Sequence, residues 1–153
     1  MTFREGAIFL IITGLTLLYG SCTFNKSIQP FKSDGCSLFP DRSLVNKEDW
    51  CECCYEHDLA YWKGGTAEER DNADKLLKQC ILDKTQDTAL ANMMYIGVRF
   101  GGSPYFPTWY RWGYGWNYQR GYAPLTSEEE ELVSLRIAEV KNTVNDSLKK
   151  NCN

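Results

Sequence analysis

The cysteine residues constrain this chain more than any other feature. Seven occur in 153 residues, beside a single histidine. Such density is typical either of exported domains held together by disulfides or of metal sites. The rest of the composition is ordinary, because 43% hydrophobic and 24% charged residues predict one globular domain. A net charge of -3 lacks the basic excess of nucleic-acid-binding proteins, so nucleic acid is not an expected partner.

The N-terminus, residues 1–21, has the pattern of an export signal. A short start carrying Arg4 is followed by an apolar stretch from Ala7 to Tyr19 and then by small residues. A membrane-spanning anchor is the alternative, but a bilayer requires about 20 consecutive apolar residues, and this run is shorter and interrupted. We therefore expect a cleaved signal peptide and a location outside the cytoplasm.

The segment that ends at Cys22, Leu-Tyr-Gly-Ser-Cys, resembles the lipid-attachment box of bacterial lipoproteins. In that box the cysteine is acylated and becomes the first residue of the mature protein, although Tyr19 departs from the usual aliphatic residue. The resemblance implies a membrane-anchored lipoprotein; otherwise the protein is expected to be secreted. If Cys22 carries lipid, six cysteines remain, and an even number outside the cytoplasm predicts three disulfides. They are Cys36, Cys51, Cys53, Cys54, Cys80 and Cys152.

The mature chain divides into a polar tether, residues 22–33, and a mainly α-helical domain, residues 34–153. A loop rich in turn-forming residues, 34–41, precedes a first helix that we expect to begin near Asn46, with Asp49 in its first turn. Gly64-Gly65 ends that helix. Thr66 and Glu69 then form a capping box for a second helix that extends to about residue 82. The short connection predicts that the two helices are antiparallel neighbours.

Three further segments follow the helix pair. An apolar stretch at 88–100 predicts a third helix, and residues 103–122 form an irregular segment with nine aromatic residues. Ser127 and Glu130 are expected to open a long amphipathic helix that packs on the core. Its predicted apolar stripe consists of Leu132, Ile137, Val140, Val144 and Leu148.

The first helix contains a cluster of cysteines around His57 that permits two interpretations. The cysteines and the histidine could ligate zinc, but zinc sites usually draw ligands from two separated segments, and exported thiols oxidise. A hydrolase site is favoured, because His57 can take a proton from water and Asp58 can bind a hard cation. In an antiparallel pair, Asp74 of the second helix would lie level with His57 and could orient its ring.

The motifs on the two helices resemble those of the secreted phospholipase A2 family. The first is Cys53-Cys54-Tyr-Glu-His57-Asp58-Leu-Ala60-Tyr61, and the second is Ala73-Asp74 with Cys80 six residues later. The family has cysteines at the positions of Ala60 and Ala73, which form one disulfide, so both partners of that bridge are absent here. The loop Asp34-Gly35-Cys36-Ser37 with Pro40-Asp41 is similar to the calcium loop of bacterial and fungal members. The resemblance covers about residues 34–82.

This resemblance implies a phospholipase A2-like fold, a calcium site and a set of disulfides. Calcium would be held by the carboxylate of Asp58 and by the carbonyls of Gly35, Ser37 and Phe39. The family pattern pairs Cys36 with Cys54 and Cys53 with Cys80. Cys51 and Cys152 then remain for each other, a pairing that rests on arithmetic alone.

The resemblance also implies calcium-dependent hydrolysis of the sn-2 ester of phospholipids, presented as a membrane or an aggregate. His57 would activate the water, Asp74 would orient His57, and Tyr61 would bind Asp74. A loop N–H near Ser37 would help to stabilise the oxyanion. Arg111, in the aromatic segment, is a candidate for contact with a phosphate headgroup. The alternative is a noncatalytic module of the same fold that binds lipid or another surface.

Overall fold

The computed structural model describes residues 27–37, 39–43 and 49–151, with side chains described as far as residue 141. Four α-helices occur in this part of the chain, together with one 3-10 turn at Tyr118–Arg120. Apart from an isolated bridge between Arg42 and Asp49, it contains no β-structure. The helices are α1 Cys51–Lys63, α2 Ala67–Thr85, α3 Thr88–Gly101 and α4 Ser127–Asn151. The expectation of a mainly α-helical chain is confirmed.

Helix α1 begins later than the sequence predicts, at Cys51. Asp49 is not in the first turn: its backbone bridges Arg42, and its carboxylate accepts a hydrogen bond from the Cys51 N–H at 2.9 Å. The Trp50 N–H donates to the Asp41 carbonyl, and the indole N–H of Trp50 donates to the Pro40 carbonyl. These contacts hold residues 49–50 against the loop and keep them out of the helix. Asn46 lies outside the described residues.

Helices α1 and α2 are antiparallel, as predicted. The disulfide Cys53–Cys80 spans 27 residues, the contact between His57 and Asp74 spans 17, and the hydrogen bond between Tyr61 and Arg70 spans 9. The separation falls steadily toward the connection, which is the pattern of two helices folded back on each other. The predicted capping box is present, with the Thr66 hydroxyl and the Glu69 carboxylate each accepting from the other's backbone N–H.

Two of the disulfides implied by the resemblance are present. Cys36–Cys54 joins the loop to α1, and Cys53–Cys80 joins α1 to α2. Cys51 is also disulfide-bonded, whereas Cys152 lies outside the described residues. The five described cysteines are therefore all oxidised, and none is available as a thiolate ligand for zinc.

Helix α1 lies at the centre of the core and contacts a different cluster on each side. Leu77 and Ile81 of α2 and Met94 of α3 pack with the disulfides and Trp50. On another side, Trp62 packs with residues from the N-terminal segment, the aromatic segment and α4, namely Ile28, Trp116 and Val133. Tyr61 packs with Ala73 and Trp112. Burial on several sides fixes the rotation of α1 about its axis and so determines where His57 and Asp58 lie.

Two expectations about the ends of the domain differ from the structure. The sequence predicts a polar tether at residues 22–33, but Ile28 in this segment is buried, and the backbone at Gln29 is hydrogen-bonded to Gly115 and to the Trp62 indole. The capping box of α4 is formed by Thr126 and Glu129, one residue before the predicted pair. Glu129 is held there because it is buried and binds Arg120. Residues 1–26, with the signal peptide and Cys22, lie outside the described residues.

Candidate active site

His57 and Asp74 form the centre of the site. His57 Nε2 lies 2.8 Å from Asp74 Oδ1, and the Tyr61 hydroxyl donates to the same oxygen at 2.7 Å. Because His57 and Tyr61 are four residues apart on α1, both side chains face α2. Asp74 is completely buried between them. The structure therefore brings together the three side chains that the sequence analysis assigned to proton transfer.

Asp74 also binds two arginines that the sequence analysis missed. Arg99 Nη1 of α3 donates to Asp74 Oδ2 at 2.7 Å, and Arg70 Nε lies 3.7 Å from the same oxygen. Burial alone would raise the pKa of the Asp74 carboxyl, but hydrogen bonds from His57, Tyr61 and Arg99 outweigh it and hold the pKa below its usual value. Asp74 is thus ionised and accepts the His57 Nε2 proton, which leaves the Nδ1 lone pair available.

Arg70 ties this centre to the surrounding backbone. Its guanidinium donates to the Tyr61 and Tyr122 hydroxyls and to the carbonyls of Val98 and Arg99. The side chain is 3% exposed, so its hydrogen bonds are well shielded from water. The sequence held one signal of this role, since Arg70 precedes Asp74 by one helical turn and therefore shares its face.

Asp58, in contrast, is buried with few partners. Its Oδ2 accepts from the Ser33 hydroxyl at 2.6 Å. The pKa of the Asp58 carboxyl is raised to about 7, mainly by burial and also by the nearby carboxylates of Asp34 and Asp41, against the hydrogen bonds from Ser33 and the Asp34 backbone. The region around Asp58 therefore carries an excess of negative charge.

Residues 34–37 of the loop have a backbone suited to wrapping around a ligand. Gly35 and Ser37 both have positive φ values, of 75° and 53°. A side chain at Gly35 would collide with the Asp41 carboxylate, which accepts a hydrogen bond from the Cys36 N–H at 2.8 Å. Two left-handed residues within three reverse the chain sharply, and the disulfide Cys36–Cys54 fixes the turn to α1.

The residues named for calcium fit a hard cation. Gly35, Ser37, Phe39 and Asp58 line one cleft, and the only charged group among them is a carboxylate in a region of excess negative charge. Across the part of the chain that the structure describes, no group of three or more His, Cys, Asp or Glu side chains is arranged to hold a metal.

The cleft extends from His57 and Asp58 to an apolar end. It encloses about 660 Å³ of space outside the atoms, part of it open to solvent. Phe39, Leu77, Met94 and Val98 line the apolar end. Gly102 is needed beside it, because a side chain there would collide with the ring and hydroxyl of Tyr61. Chemically, the cleft joins a candidate base, an acidic ligand and an apolar slot.

An exposed apolar stripe borders the cleft, and the sequence analysis did not identify it. Met93, Ile96 and Phe100 of α3 are all more than half exposed, and their spacing of three and four residues places them on one face. Phe106 and Trp109 of the aromatic segment are exposed too. The signal in the sequence was that α3 is apolar around most of its circumference, which exceeds what one buried face requires.

Arg111 lies outside this cleft. It is 7% exposed, its Nη2 donates to the Trp116 carbonyl at 2.7 Å, and its guanidinium lies 5.5 Å from the ring centroid of Tyr118. Burial lowers the pKa of the Arg111 guanidinium. The side chain faces a second groove that shares Asp58 with the cleft.

The comparisons with known proteins leave the site to be interpreted from its geometry. No family model, no curated protein and no solved structure matches the chain. In the described residues, no helix has both the length and the apolar character that a bilayer span requires.

Proposed function

We propose that the protein is a calcium-dependent hydrolase of the phospholipase A2 type, which cleaves the sn-2 ester of phospholipids. The observation that carries the proposal is the hydrogen bond between His57 and buried Asp74 at a cleft that Asp58 also lines. A base, its orienting carboxylate and a cation ligand in one apolar cleft are what water-mediated ester hydrolysis requires.

Each residue has a separate task in this proposal. His57 Nδ1 takes the proton of the water that attacks the ester carbonyl and returns it to the glycerol oxygen as the ester C–O bond breaks, while Asp74 stabilises the positive charge that develops on the ring. Tyr61 and Arg99 hold Asp74 in place through their hydrogen bonds. Asp58 and the carbonyls of Gly35, Ser37 and Phe39 would hold calcium, which supplies charge stabilisation to the ester oxygen when bound. The backbone N–H near Ser37 adds a donor to the oxyanion.

The apolar stripe supports a lipid substrate. Met93, Ile96 and Phe100 expose side chains beside the cleft entrance, where they can enter the interfacial region of a bilayer. Trp109 suits the same depth, since indole rings favour the boundary between headgroups and acyl chains. A substrate could then pass from the bilayer into the cleft with its acyl chain toward Met94 and Val98.

The proposed location is consistent with such a substrate. We propose that the protein is exported and anchored by acylation of Cys22. Cys22→Ser should then release the protein from the membrane fraction or block its processing. An unprocessed N-terminus on the native wild-type protein would contradict export with cleavage.

The direct test is the release of fatty acid from phospholipid vesicles by the full chain and by two adjacent variants. His57→Gln should reduce the rate by about 10²–10⁴-fold, because only the base is lost. Glu56→Gln is the matched control, since Glu56 is exposed on the same helix turn and faces away from the cleft. If both variants retain full activity, His57 is not the base. If the wild type binds vesicles but releases no fatty acid at any calcium concentration, the noncatalytic lipid-binding module replaces this proposal.

A further inference from the structure

A second groove lies beside the cleft, and the proposed reaction does not use it. It runs between residues 29–34 and residues 107–118, comprises about 1720 Å³ of space outside the atoms, part of it open to solvent, and shares Asp58 with the cleft. A phospholipid carries its phosphate on the carbon next to the sn-2 ester. A groove that meets the cleft at Asp58 is therefore in the right place for the headgroup of a lipid whose ester lies near His57.

The inner wall of the groove offers donors for an anion. Arg111 lines it, and the guanidinium forms one hydrogen bond within the described residues, so other N–H groups can bind a ligand. Thr108 also lines the groove, and its hydroxyl oxygen is buried without a hydrogen-bond partner. Buried hydroxyls are normally paired, so an unpaired one in a groove that a buried arginine also lines indicates a polar ligand.

The outer wall favours a cation instead. The Asp34 carboxylate lies at this wall and accepts from the Trp109 indole N–H at 3.3 Å. The rings of Trp109 and Tyr110 stand edge to face, with centroids 5.1 Å apart, and Trp109 is 70% exposed. Aromatic faces next to a carboxylate attract ammonium groups, including quaternary ones.

Charges of both signs line the groove. Lys32 and Arg111 are basic, whereas Asp34 and Asp58 are acidic. An anionic headgroup without a cationic group would leave the Asp34 carboxylate at the outer wall without a counter-charge, and the chain as a whole has a charge of -3. A ligand with one negative and one positive group can satisfy both walls.

We propose that this groove is the headgroup subsite and that it selects zwitterionic phospholipids, which carry a phosphate and an ammonium group. The phosphate binds Arg111 and the Thr108 hydroxyl, and the ammonium group lies over the exposed ring face of Trp109, beside the Asp34 carboxylate. This inference rests on the proposed hydrolase function, because it is the position of the groove relative to His57 that identifies the ligand as a headgroup.

The test separates headgroup binding from catalysis. Binding of soluble phosphocholine, glycerol phosphate, choline and inorganic phosphate is measured calorimetrically on the full-length His57→Gln protein, with and without Thr108→Val or Trp109→Leu. Thr108→Val removes a hydroxyl that has no partner, so folding should be unaffected, and phosphocholine binding should weaken by about tenfold. Trp109→Leu should weaken it by about fivefold. Tyr95→Leu, on α3 and outside the groove, should have no effect.

The catalytic arm uses vesicles that contain equal amounts of phosphatidylcholine and phosphatidylglycerol, so that both lipids share one surface. Wild-type protein should hydrolyse phosphatidylcholine faster, and Thr108→Val should reduce that preference. Equal rates for the two lipids, together with unchanged phosphocholine binding in Thr108→Val and Trp109→Leu, would overturn the inference while hydrolysis stands. Phosphate binding as tight as phosphocholine binding would reduce the groove to an anion site and also overturn it. Selective phosphocholine binding without any hydrolysis would support the subsite and refute the enzyme.

Discussion

The two aspartates that α1 and α2 place at the site, Asp74 and Asp58, have opposite surroundings. Asp74 accepts hydrogen bonds from His57, Tyr61 and Arg99, so its charge is fully compensated within the protein. Asp58 is almost as buried, but it has one side-chain donor and two other carboxylates nearby. The comparison teaches that the charge of Asp74, in the base-orienting half of the site, is compensated within the folded chain, whereas the charge of Asp58, beside the loop, is not; the proposed calcium ion would compensate it.

The largest effect on stability should come from substitution of Asp74, whose charge the protein compensates. Asp74→Asn leaves two arginines and His57 without their buried counter-charge, and it should lower the free energy of unfolding by about 3 to 5 kcal/mol. Asp83→Asn, an exposed aspartate at the end of α2, is the control and should change it by less than about 0.5 kcal/mol. Urea unfolding of the wild type and of both variants measures these free energies. Equal stabilities would show that the Asp74 network contributes nothing.

The same network predicts how stability depends on pH. The pKa of Asp74 is lowered in the folded state by its contacts with His57, Tyr61 and Arg99, so the unfolded state binds its proton more readily. This contribution to stability is present above the ordinary Asp pKa of about 3.9 and is lost as the pH falls below it. The loss should be steeper in the wild type than in Asp74→Asn. If the stability of both proteins fell equally with decreasing pH, the claim that the folded state stabilises the ionised Asp74 would be wrong.

Substitution of Asp58 should change the free energy of unfolding in the opposite direction. Asp58→Asn removes a buried charge that lies beside Asp34 and Asp41, so without calcium it should stabilise the fold by about 1 to 3 kcal/mol at pH 8. Calcium should raise the melting temperature of the wild type and leave that of the variant unchanged. Thermal unfolding with calcium and with a chelator measures both effects. If calcium raised the melting temperature of Asp58→Asn as much as that of the wild type, the cation would bind elsewhere.

The sequence could predict those parts of the site that depend on local patterns, but not those that depend on contacts between residues far apart in the chain. The meeting of His57 and Asp74 was predictable from helix periodicity and a short connection, as was the capping box at Thr66, whereas the contact of Tyr61 with Asp74 was expected only from the family resemblance. Arg99 comes from α3 and reaches Asp74 across 25 residues, a contact that no local pattern encodes. The late start of α1 depends on the loop binding Trp50, which is likewise nonlocal.

The smallest expected effect concerns the apolar stripe next to the cleft. Ile96→Gln removes an exposed apolar side chain at the proposed membrane-facing surface and should weaken binding to vesicles by about threefold to tenfold. Hydrolysis of a monomeric short-chain substrate should stay unchanged, because Ile96 does not line the cleft. Leu135→Gln on α4 is the matched control, with similar exposure. If Ile96→Gln and Leu135→Gln bound vesicles equally well, the apolar stripe would not be part of the lipid-binding surface.

The most direct measurement is hydrolysis of vesicles made from a phospholipid with distinguishable acyl chains, with added calcium and then with a chelator. If Asp58 and the loop hold calcium beside a His57 base, the sn-2 fatty acid should be released in calcium, release should stop in chelator, and re-added calcium should restore it. Release from the sn-1 position, or release that the chelator leaves unchanged, would contradict the account.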